Sequence, residues 1–248
     1  MMKSKSLLII LLFISKLIFS QLIDPDKIDD ITIQPITHGT VVFEWNGTTI
    51  YVDPYGGGEK FTDLNKPDII IITHAHGDHL NIETLNSIDT SEATFVVPKS
   101  VADELPKSMK ENVIILNNGD SKTIKSIPIS AIAMYNLPND DTARHKKGWG
   151  NSYTITLNDK KIYVSGDTED IPEMRALKNI DIAFICMNLP FTMTEEQAAS
   201  AVLDFKPAIV YPYHYRGRPN MSDTKLFKKL VNDKNSEIKV ILRDWYVN

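Results

Sequence analysis

The hydrophobic residues of this chain fall mostly into short runs with polar residues between them, a pattern typical of β-strands. Residues 31–36, 40–45 and 48–52 predict three strands, and Asn46-Gly47 between the last two predicts a tight hairpin turn. Residues 69–72 form a continuous apolar run, which indicates a strand buried on both faces. Similar patterns predict further strands at 94–97, 113–116, 153–157, 161–164, 181–185, 208–211 and 238–242.

Helical signals are fewer and lie mainly in the second half of the chain. Thr194 and Gln197 have the spacing of a capping box, which predicts a helix over 195–205. Ser222 is predicted to cap a helix over 225–231, and Pro172 to lie in the first turn of another. Strands that alternate with helices predict an α/β protein with much sheet, and no low-complexity linker divides it.

Two pairs of segments resemble each other. Residues 46–54 (NGTTIYVDP) are similar to 158–167 (NDKKIYVSGD), and each ends its strand at an aspartate. Residues 66–74 (KPDIIIITH) are similar to 206–214 (KPAIVYPYH), and each closes on a histidine. These matches predict two related halves that bring polar residues from strand ends to one shared edge, where α/β proteins usually place their chemistry.

The N-terminus has the pattern of a secretory signal peptide. Lys3 and Lys5 precede an apolar stretch at 7–14, and Ser20 is a small residue at the expected cleavage point. We therefore expect residues 1–20 to be removed, residues 21–248 to form one domain, and the mature protein to be periplasmic or secreted without an integral membrane span. The alternative is an uncleaved anchor.

Composition narrows the range of partners. The formal net charge is −5, from 27 Lys and Arg against 32 Asp and Glu, so no overall positive charge favours nucleic acid. We expect a small-molecule substrate instead, while the oligomeric state stays open. The single cysteine, Cys186, cannot form an internal disulfide and lies in an apolar run that indicates the core.

The strongest chemical signal is HAHGDH at 74–79, directly after the predicted buried strand. It contains four potential metal ligands in six residues, on a turn that Gly77 is expected to tighten. Imidazoles with a carboxylate suit zinc, iron or manganese better than calcium or magnesium. A histidine-rich surface turn is the alternative, but three of the chain's six histidines lie here, which disfavours chance.

The segment THAHGDHL resembles the HxHxDH signature of the metallo-β-lactamase superfamily. SGDT at 165–168 is similar to the later strand-end aspartate of that superfamily, and PYHY at 212–215 to its final histidine. Together with GDTEDIPEM and PFTM at 190–193, these motifs resemble the branch of UlaG-like hydrolases and related phospholipase-D-type members. The resemblance implies a four-layer αββα sandwich with the site at one edge.

The resemblance also implies two divalent metal ions, with zinc as the first choice and manganese or iron as alternatives. The implied ligands of the first ion are His74, His76 and Asp167. Those of the second ion are Asp78, His79, Asp167 and His214, so that Asp167 bridges the pair. A carboxylate between two cations offsets their mutual repulsion, which supports this assignment on chemical grounds.

Three further residues keep alternative interpretations. The superfamily usually supplies a third histidine to the first metal, but here the strand at 129–135 ends in Asn136 and the nearest histidine is His145. His145 is either a ligand or substrate contact, or an exposed loop residue, and Asn136 in the ligand position would weaken the first site. His38 either supports a ligand by a hydrogen bond or packs structurally. Asp53 either lines the site or caps a turn.

The expected chemistry is hydrolysis by a metal-bound hydroxide, with Asp78 orienting the water and accepting its proton. Tyr213 or Tyr215 is expected to donate a hydrogen bond to developing negative charge. Positive residues flank two of the site loops and favour an anionic substrate, unless they are only solvated surface charges; they are Lys146, Lys147, Arg216 and Arg218.

The expected substrate is a small anionic ester, either a phosphodiester or a lactone. One alternative is a β-lactamase or acyl-homoserine lactonase, which the export signal suits but the missing strand-end histidine does not. Another alternative is a metal-binding scaffold of the same fold without turnover. The intact HAHGDH segment, Asp167 and His214 argue against the scaffold, and Asn136 argues for it.

Overall fold

The computed structural model describes residues 23–246 and arranges their strands in two sheets of seven. In the first sheet, neighbouring strands follow the order of the chain. The first four strands pair antiparallel to one another, and the last three extend the sheet beyond the fourth, each parallel to the strand before it. These strands are β1 (Asp26–Ile28), β2 (Ile31–Thr37), β3 (Thr40–Trp45), β4 (Thr48–Val52), β5 (Ile69–Ile71), β6 (Thr94–Val97) and β7 (Val113–Ile115).

The second sheet repeats the arrangement of the first. Four antiparallel strands are again followed by three parallel additions, also in chain order. These strands are β8 (Ser121–Ile124), β9 (Ile127–Met134), β10 (Gly150–Leu157), β11 (Lys160–Val164), β12 (Ile182–Cys186), β13 (Ile209–Tyr213) and β14 (Lys239–Val240). The prediction of two related halves is therefore confirmed, although β1 and β8 had no clear signal in the sequence.

The two internal sequence matches differ in what they mean. Residues 46–54 and 158–167 contain β4 and β11, which are the fourth strands of their sheets and so occupy equivalent places. Residues 66–74 and 206–214 contain β5 and β13, the fifth strand of one sheet and the sixth of the other. The second match therefore reflects similar strand ends at non-equivalent positions.

Five α-helices accompany the sheets within the described residues: α1 (Ile82–Ser87), α2 (Lys99–Glu104), α3 (Pro172–Arg175), α4 (Glu195–Phe205) and α5 (Thr224–Asn232). The predicted capping box of α4 is present in both directions, and Pro172 occupies the first turn of α3. The prediction that Ser222 caps α5 is wrong. The Asp223 side chain accepts the N–H groups of Lys225 and Leu226 in the first turn of α5, while the Ser222 hydroxyl donates to the Met187 carbonyl.

The layers follow the order αββα. The main core lies between the sheets, where Phe43 of β3 meets Phe184 of β12 edge-on, with ring centroids 5.5 Å apart. A second apolar cluster covers the outer face of the first sheet and includes Leu85 of α1 and Val101 of α2. On the other side, α4 and α5 join the main core through residues such as Phe205 and Phe227. The expected α/β four-layer sandwich is thus confirmed, and Cys186 lies buried within it.

The predicted signal peptide at residues 1–20 lies outside the described residues. Among residues 23–246, no helix has the length and apolar character that a membrane crossing requires.

Candidate metal centre

The HAHGDH segment lies on a compact turn between β5 and α1. β5 consists of three buried isoleucines, and its ladder continues for one more residue, where the Ile72 N–H donates to the Val96 carbonyl. The N–H groups of His79 and Leu80 then both donate to the His76 carbonyl, which folds the segment back on itself. Its polar side chains therefore project together from the end of a rigid strand.

Residues of the second sheet meet this turn at the same edge. Asp167 follows β11 and His214 follows β13, as their positions at strand ends predict. The His214 N–H donates to the His38 carbonyl over 3.0 Å, which joins the end of β13 to the loop between β2 and β3. The centre is thus assembled from strand ends of both halves.

The first group of metal-ligand atoms comes from His74, His76 and His145, which lie within 4.8 Å of one another. His76 Nδ1 is 3.0 Å from His74 Nε2 and 3.2 Å from His145 Nε2. His145 is fully buried, so it is not an exposed loop histidine. The structure therefore brings His145 to the place where the sequence left a third histidine in doubt.

Asn136 lies behind His145 rather than within the group. Its side-chain oxygen accepts the backbone N–H of His145 over 2.8 Å and lies 2.9 Å from the ring Nδ1. Because an amide oxygen only accepts, Nδ1 carries the proton and Nε2 is left facing the other histidines. The Asn136 amide N–H₂ donates to the Phe191 carbonyl and to Glu169, which holds the amide in this orientation.

The second group surrounds Asp167. His79 Nε2 and His214 Nε2 are 3.1 Å apart, and Asp167 Oδ1 is 3.5 Å and 3.2 Å from them. The other carboxylate oxygen of Asp167, Oδ2, faces His145 Nε2 at 3.6 Å. Asp78 Oδ2 lies 3.8 Å from His214 Nε2 on the open side. Asp167 therefore lies between the two groups with one oxygen toward each.

Asp53 and Thr73 orient the histidines of the first sheet. Buried Asp53 accepts the Thr73 N–H over 2.7 Å and the Thr73 hydroxyl over 2.6 Å, and its Oδ2 is 2.7 Å from His79 Nδ1. The Thr73 oxygen lies 3.0 Å from His74 Nδ1. These contacts leave the Nε2 atoms of His74 and His79 free to face the centre, as carboxylate–histidine–metal arrangements do. Asp53 thus supports the site without lining its cavity.

Protonation in the centre follows from burial and charge. Burial lowers the pKa of His74 well below its usual value and that of His145 to about 4, which favours the neutral, metal-binding form of both rings. Burial acts the same way on His79, but the charges of Asp53 and Asp167 outweigh it and raise that pKa. Burial raises the pKa of Asp167, yet His214 and His79 lower it overall, so it is a carboxylate.

The donor set fits divalent transition-metal ions. Asp167 Oδ1 is buried without a hydrogen-bond partner among residues 23–246, and pairs of imidazole nitrogens face each other at about 3 Å. Buried polar atoms without partners are costly unless a further ligand satisfies them. Several imidazoles with carboxylates that converge on one point match zinc, iron or manganese rather than calcium or magnesium.

Three residues of the centre have an unusual backbone conformation. His38, Asp53 and His214 have φ values of 54°, 46° and 45°, in the left-handed region that non-glycine residues rarely adopt. Such conformations cost about 1–3 kcal/mol each and concentrate at functional sites. They place the side chains at the strand ends toward the shared edge, which points to function rather than to stability.

A cavity of about 460 Å³ opens onto the centre. His76, Asp78, Asp167 and His214 contribute to its walls. Its other lining residues include three arginines and two aromatic rings that pack against them: Arg144, Arg216, Arg218, Phe191 and Tyr246.

The arginines stack on these rings. The guanidinium carbons of Arg144 and Arg218 lie 4.6 Å and 5.8 Å from the centroid of Phe191. That of Arg216 lies 4.1 Å from the centroid of Tyr246. No ion pair of these three arginines occurs within the described part of the chain, so no guanidinium group is held by a direct carboxylate partner, although Asp78 and Asp167 line the same cavity.

The loop lysines do not belong to the cavity. Lys146 Nζ is 3.1 Å from Asp141, and Lys147 Nζ is 2.6 Å from Glu173, so both side chains turn outward. The expectation that these lysines contribute positive charge is therefore corrected, and Arg144 joins Arg216 and Arg218 instead. Arg144 stands directly before His145, and only the direction of its side chain distinguishes it from the lysines that follow.

Tyr213 and Tyr215 also point away from the cavity. The Tyr213 hydroxyl accepts the Gly166 N–H over 3.0 Å in the buried interior. The Tyr215 hydroxyl donates to the Arg243 carbonyl over 3.1 Å. These hydrogen bonds direct both hydroxyls elsewhere, and neither residue lines the cavity. The tyrosines that line it are Tyr55 and Tyr246.

Fold and site together define a protein of the metallo-β-lactamase type. The model of the β-lactamase superfamily domain matches residues 32–214. A UPF0173 metal-dependent hydrolase of Staphylococcus carnosus is 32% identical over 219 residues, which cover 82% of this chain and 94% of that relative. One of Pyrococcus abyssi is 30% identical and covers 75% of this chain and 85% of its own length.

Solved structures agree with this. A Parabacteroides distasonis protein described as a metal-dependent hydrolase is 37% identical with a TM-score of 0.74, and the match covers 89% of this chain and 97% of that one. A metallo hydrolase from Ignicoccus hospitalis, 24% identical with a TM-score of 0.72, shares the fold over 86% of this chain and 95% of its own. The chain belongs to the metallo-β-lactamase superfamily, within the UPF0173 family of metal-dependent hydrolases. The finer resemblance to UlaG-like and phospholipase-D-type members stays a prediction.

Proposed function

We propose that the protein is a metal-dependent hydrolase of a small anionic ester, either a phosphodiester or a lactone. The observation that carries the proposal is the position of Asp167, with one carboxylate oxygen toward each of two groups of imidazole nitrogens at the base of the cavity. In this assignment His74, His76, His145 and Asp167 hold one divalent ion. Asp78, His79, His214 and Asp167 hold the other, with zinc the first choice and manganese or iron the alternatives.

Bound ions of this kind lower the pKa of a coordinated water to near neutral and polarise the oxygen of the scissile group. The chain itself supplies Asp78, which lies on the open side of the centre and lines the cavity. Burial raises the pKa of Asp78, but the His38 hydrogen bond and the His79 charge lower it overall, so the group is ionised at neutral pH. Asp78 can therefore orient the attacking water and accept its proton.

The three cavity arginines support an anionic substrate. Guanidinium groups bind phosphate and carboxylate oxygens through two parallel N–H donors, and stacking on Phe191 and Tyr246 holds them in place. Their positive field also attracts an anion into a protein whose formal net charge is negative. This charge pattern favours anionic esters over neutral acyl-homoserine lactones as substrates.

Metal analysis and a substrate panel test the proposal together. We expect purified protein to contain close to two zinc, iron or manganese ions per chain, and Asp167→Ala to lose most of them. The panel contains a chromogenic phosphodiester, a sugar lactone, an acyl-homoserine lactone and a chromogenic cephalosporin. Hydrolysis of a phosphodiester or sugar lactone, with kcat reduced about 100-fold or more in Asp78→Asn assayed in excess metal so that a weakened second group is still filled, supports the proposal.

Two other results point to the alternatives. Retained metal without turnover of any compound supports a non-catalytic scaffold, and preferred turnover of the cephalosporin or acyl-homoserine lactone supports the other superfamily branch. Arg144→Gln provides a test of anion selectivity, with an expected rise in KM of about tenfold, because one charged contact is lost. Lys146→Gln is the matched control, since it removes a charge from the same loop outside the cavity.

We also propose that residues 1–20 are a cleaved signal peptide and that the mature enzyme is periplasmic or secreted. N-terminal sequencing of protein recovered from the native host tests this. A mature N-terminus near Gln21 supports export, whereas an intact N-terminus in the membrane fraction supports the anchor.

A further inference from the structure

We propose that His38 and Tyr246 position Asp78 through a chain of hydrogen bonds that decides which carboxylate oxygen faces the metal centre. His38 Nε2 is 3.1 Å from Asp78 Oδ2, and His38 Nδ1 is 3.0 Å from the Tyr246 hydroxyl. The inference rests on the proposed function, because it assigns a positioning role toward the residue proposed to handle the attacking water.

The backbone holds the His38 ring in place before any side-chain contact is made. Its N–H donates to the Trp245 carbonyl over 3.2 Å, and its carbonyl accepts the His214 N–H over 3.0 Å. These bonds fix His38 between the C-terminal segment and the end of β13 while it keeps a left-handed φ of 54°. Its side chain is only 14% exposed. The ring therefore has little freedom to leave Asp78.

The polarity of the chain follows from which groups can donate. A carboxylate only accepts, so the proton between His38 and Asp78 lies on His38 Nε2. In a neutral imidazole Nδ1 is then the acceptor, and the Tyr246 hydroxyl is the donor placed to satisfy it. The Tyr246 oxygen in turn accepts the backbone N–H of Arg216 over 3.0 Å. Each hydrogen bond in the chain thus has one direction, and neutral His38 carries its proton on Nε2.

Asp78 depends on this chain for its orientation. His38 is the one hydrogen-bond partner of the Asp78 carboxylate within residues 23–246, and the side chain of Asp78 is 39% exposed. His38 engages Oδ2, the same oxygen that lies 3.8 Å from His214 Nε2, so the hydrogen bond holds this oxygen toward the second group, where a metal ion would use its remaining lone pair. Without His38, rotation about the last side-chain bond lets both oxygens exchange roles, which loosens the second metal group and misdirects the proposed proton acceptor.

An alternative role for His38 is direct metal ligation. Its ring nitrogens lie within 4.8 Å of ligand atoms of Asp78 and His214. A ligating Nε2 carries no proton and cannot donate to Asp78, so the two roles exclude each other. Glutamine distinguishes them, because its amide N–H can replace the Nε2–H donor whereas glutamine is a poor substitute for imidazole as a transition-metal ligand.

The test compares His38→Gln, His38→Phe and Tyr246→Phe in the full-length protein. Affinity for zinc is measured by competition with a chromophoric chelator, and kcat and KM are measured with whichever panel ester the wild type hydrolyses. We expect His38→Phe to weaken the second zinc ion about 10–100-fold and to lower kcat with little change in KM. His38→Gln should restore most of both losses, and Tyr246→Phe should show a smaller loss in the same direction.

Tyr215→Phe is the matched control, because it removes a hydroxyl beside the Tyr246 ring that does not face His38. Wild-type zinc affinity in His38→Phe would overturn the proposal, and so would equal losses in His38→Gln and His38→Phe. If His38→Phe fails to fold, as thermal unfolding would reveal, His38→Gln against the wild type and Tyr246→Phe against Tyr215→Phe still decide. A wild type that binds two ions but hydrolyses no ester contradicts the proposed function alone, since the affinity measurements test His38 independently.

Discussion

Asn136 contributes to the metal centre without entering it. A side-chain amide is a poor ligand for zinc, yet its fixed oxygen accepts two bonds from His145 and thereby directs Nε2 of that ring inward. Asn136 at the strand end and His145 in the following loop therefore act together, because Asn136 orients the ring that His145 contributes. Asp53 supports His79 in the same way, so each of these two proposed ligand rings is oriented by an acceptor oxygen at its Nδ1.

We predict that Asn136→Ala weakens zinc binding at the first group about tenfold, because His145 loses the acceptor that sets its tautomer and angle. His145→Ala, which removes a proposed ligand outright, should weaken binding further. Chelator competition measures both, and Glu169→Gln, which keeps the acceptor oxygen beside Asn136, is the control. Equal affinities in wild type and Asn136→Ala would mean that packing alone holds His145.

A second prediction concerns Cys186, which is buried in β12. Burial raises the pKa of its thiol to about 12, and nearby Asp167 acts in the same direction, so almost no thiolate forms at neutral pH. A thiol reagent should therefore leave the native protein unmodified for hours and react with one equivalent in concentrated urea. Rapid modification of the native protein would show that this part of the core opens readily.

Some residues of the centre can be recognised in the sequence, and others cannot. HAHGDH is recognisable as a cluster of ligand residues after a strand, whereas Asp167 and His214 are recognisable through the resemblance of SGDT and PYHY to the superfamily motifs. Arg144, Asn136 and Tyr246 cannot be recognised in that way, because their roles depend on side-chain direction and on contacts between distant segments. From the sequence, Lys146 and Lys147 are expected near the substrate, whereas Arg144 lines the cavity. This error arises because the direction of a side chain cannot be recognised in a sequence.

At the scale of elements, Gly150 at the start of β10 is closely packed, whereas Gly77 in the turn after β5 has open space around it. Nothing lies within 4 Å of a Cβ added at Gly77, and its φ lies outside the left-handed region. At Gly150 an added Cβ would contact the Met134 side chain and lie 2.9 Å from His74 Cβ and 3.1 Å from the Thr73 carbonyl. Glycine is therefore favoured at Gly150, where β10 passes beside His74.

We predict that Gly150→Ala destabilises the protein by about 1–3 kcal/mol and weakens zinc binding, because the methyl group pushes on the backbone side of His74. Gly77→Ala is the matched variant within the motif and should change the free energy of unfolding by less than about 0.5 kcal/mol. Urea unfolding of the zinc-loaded proteins measures both values. Equal free energies of unfolding in the two variants would contradict the prediction, because Gly150 would then tolerate a side chain as well as Gly77 does.

Some element boundaries are predictable here because local signals agree with the tertiary structure, whereas β1, β8, α1 and α2 are not predicted. The Asn46-Gly47 hairpin and the α4 capping box each combine a turn or cap residue with a matching hydrophobic pattern. The start of α5 is not predictable from spacing alone, since Ser222 and Asp223 are both good caps. Tertiary contact decides, because the Ser222 N–H and hydroxyl are already bonded to carbonyls of other segments.

At the scale of the whole molecule, the centre joins the two halves. The turn after β5 supplies His74, His76, Asp78 and His79 from the first sheet, while His145, Asp167 and His214 come from the second. The repeated topology explains this division, since the residues that follow β5, β11 and β13 meet at one edge. Metal ions held by the proposed ligands would cross-link the sheets in addition to the apolar core between them.

We therefore predict that chelation lowers the stability of the entire sandwich. An ion that binds only the folded state adds about 2.7 kcal/mol when its free concentration is 100 times Kd. For a domain of this length, that corresponds to a fall in Tm of roughly 5–10 °C for each ion removed. Differential scanning calorimetry of zinc-loaded and chelator-treated protein measures the change. Asp167→Ala is the decisive comparison, because it removes the carboxylate that faces both groups and should make Tm nearly independent of chelator. If the wild type melts at the same temperature with and without zinc, the ions do not bridge the halves, and the two groups of ligands act only locally.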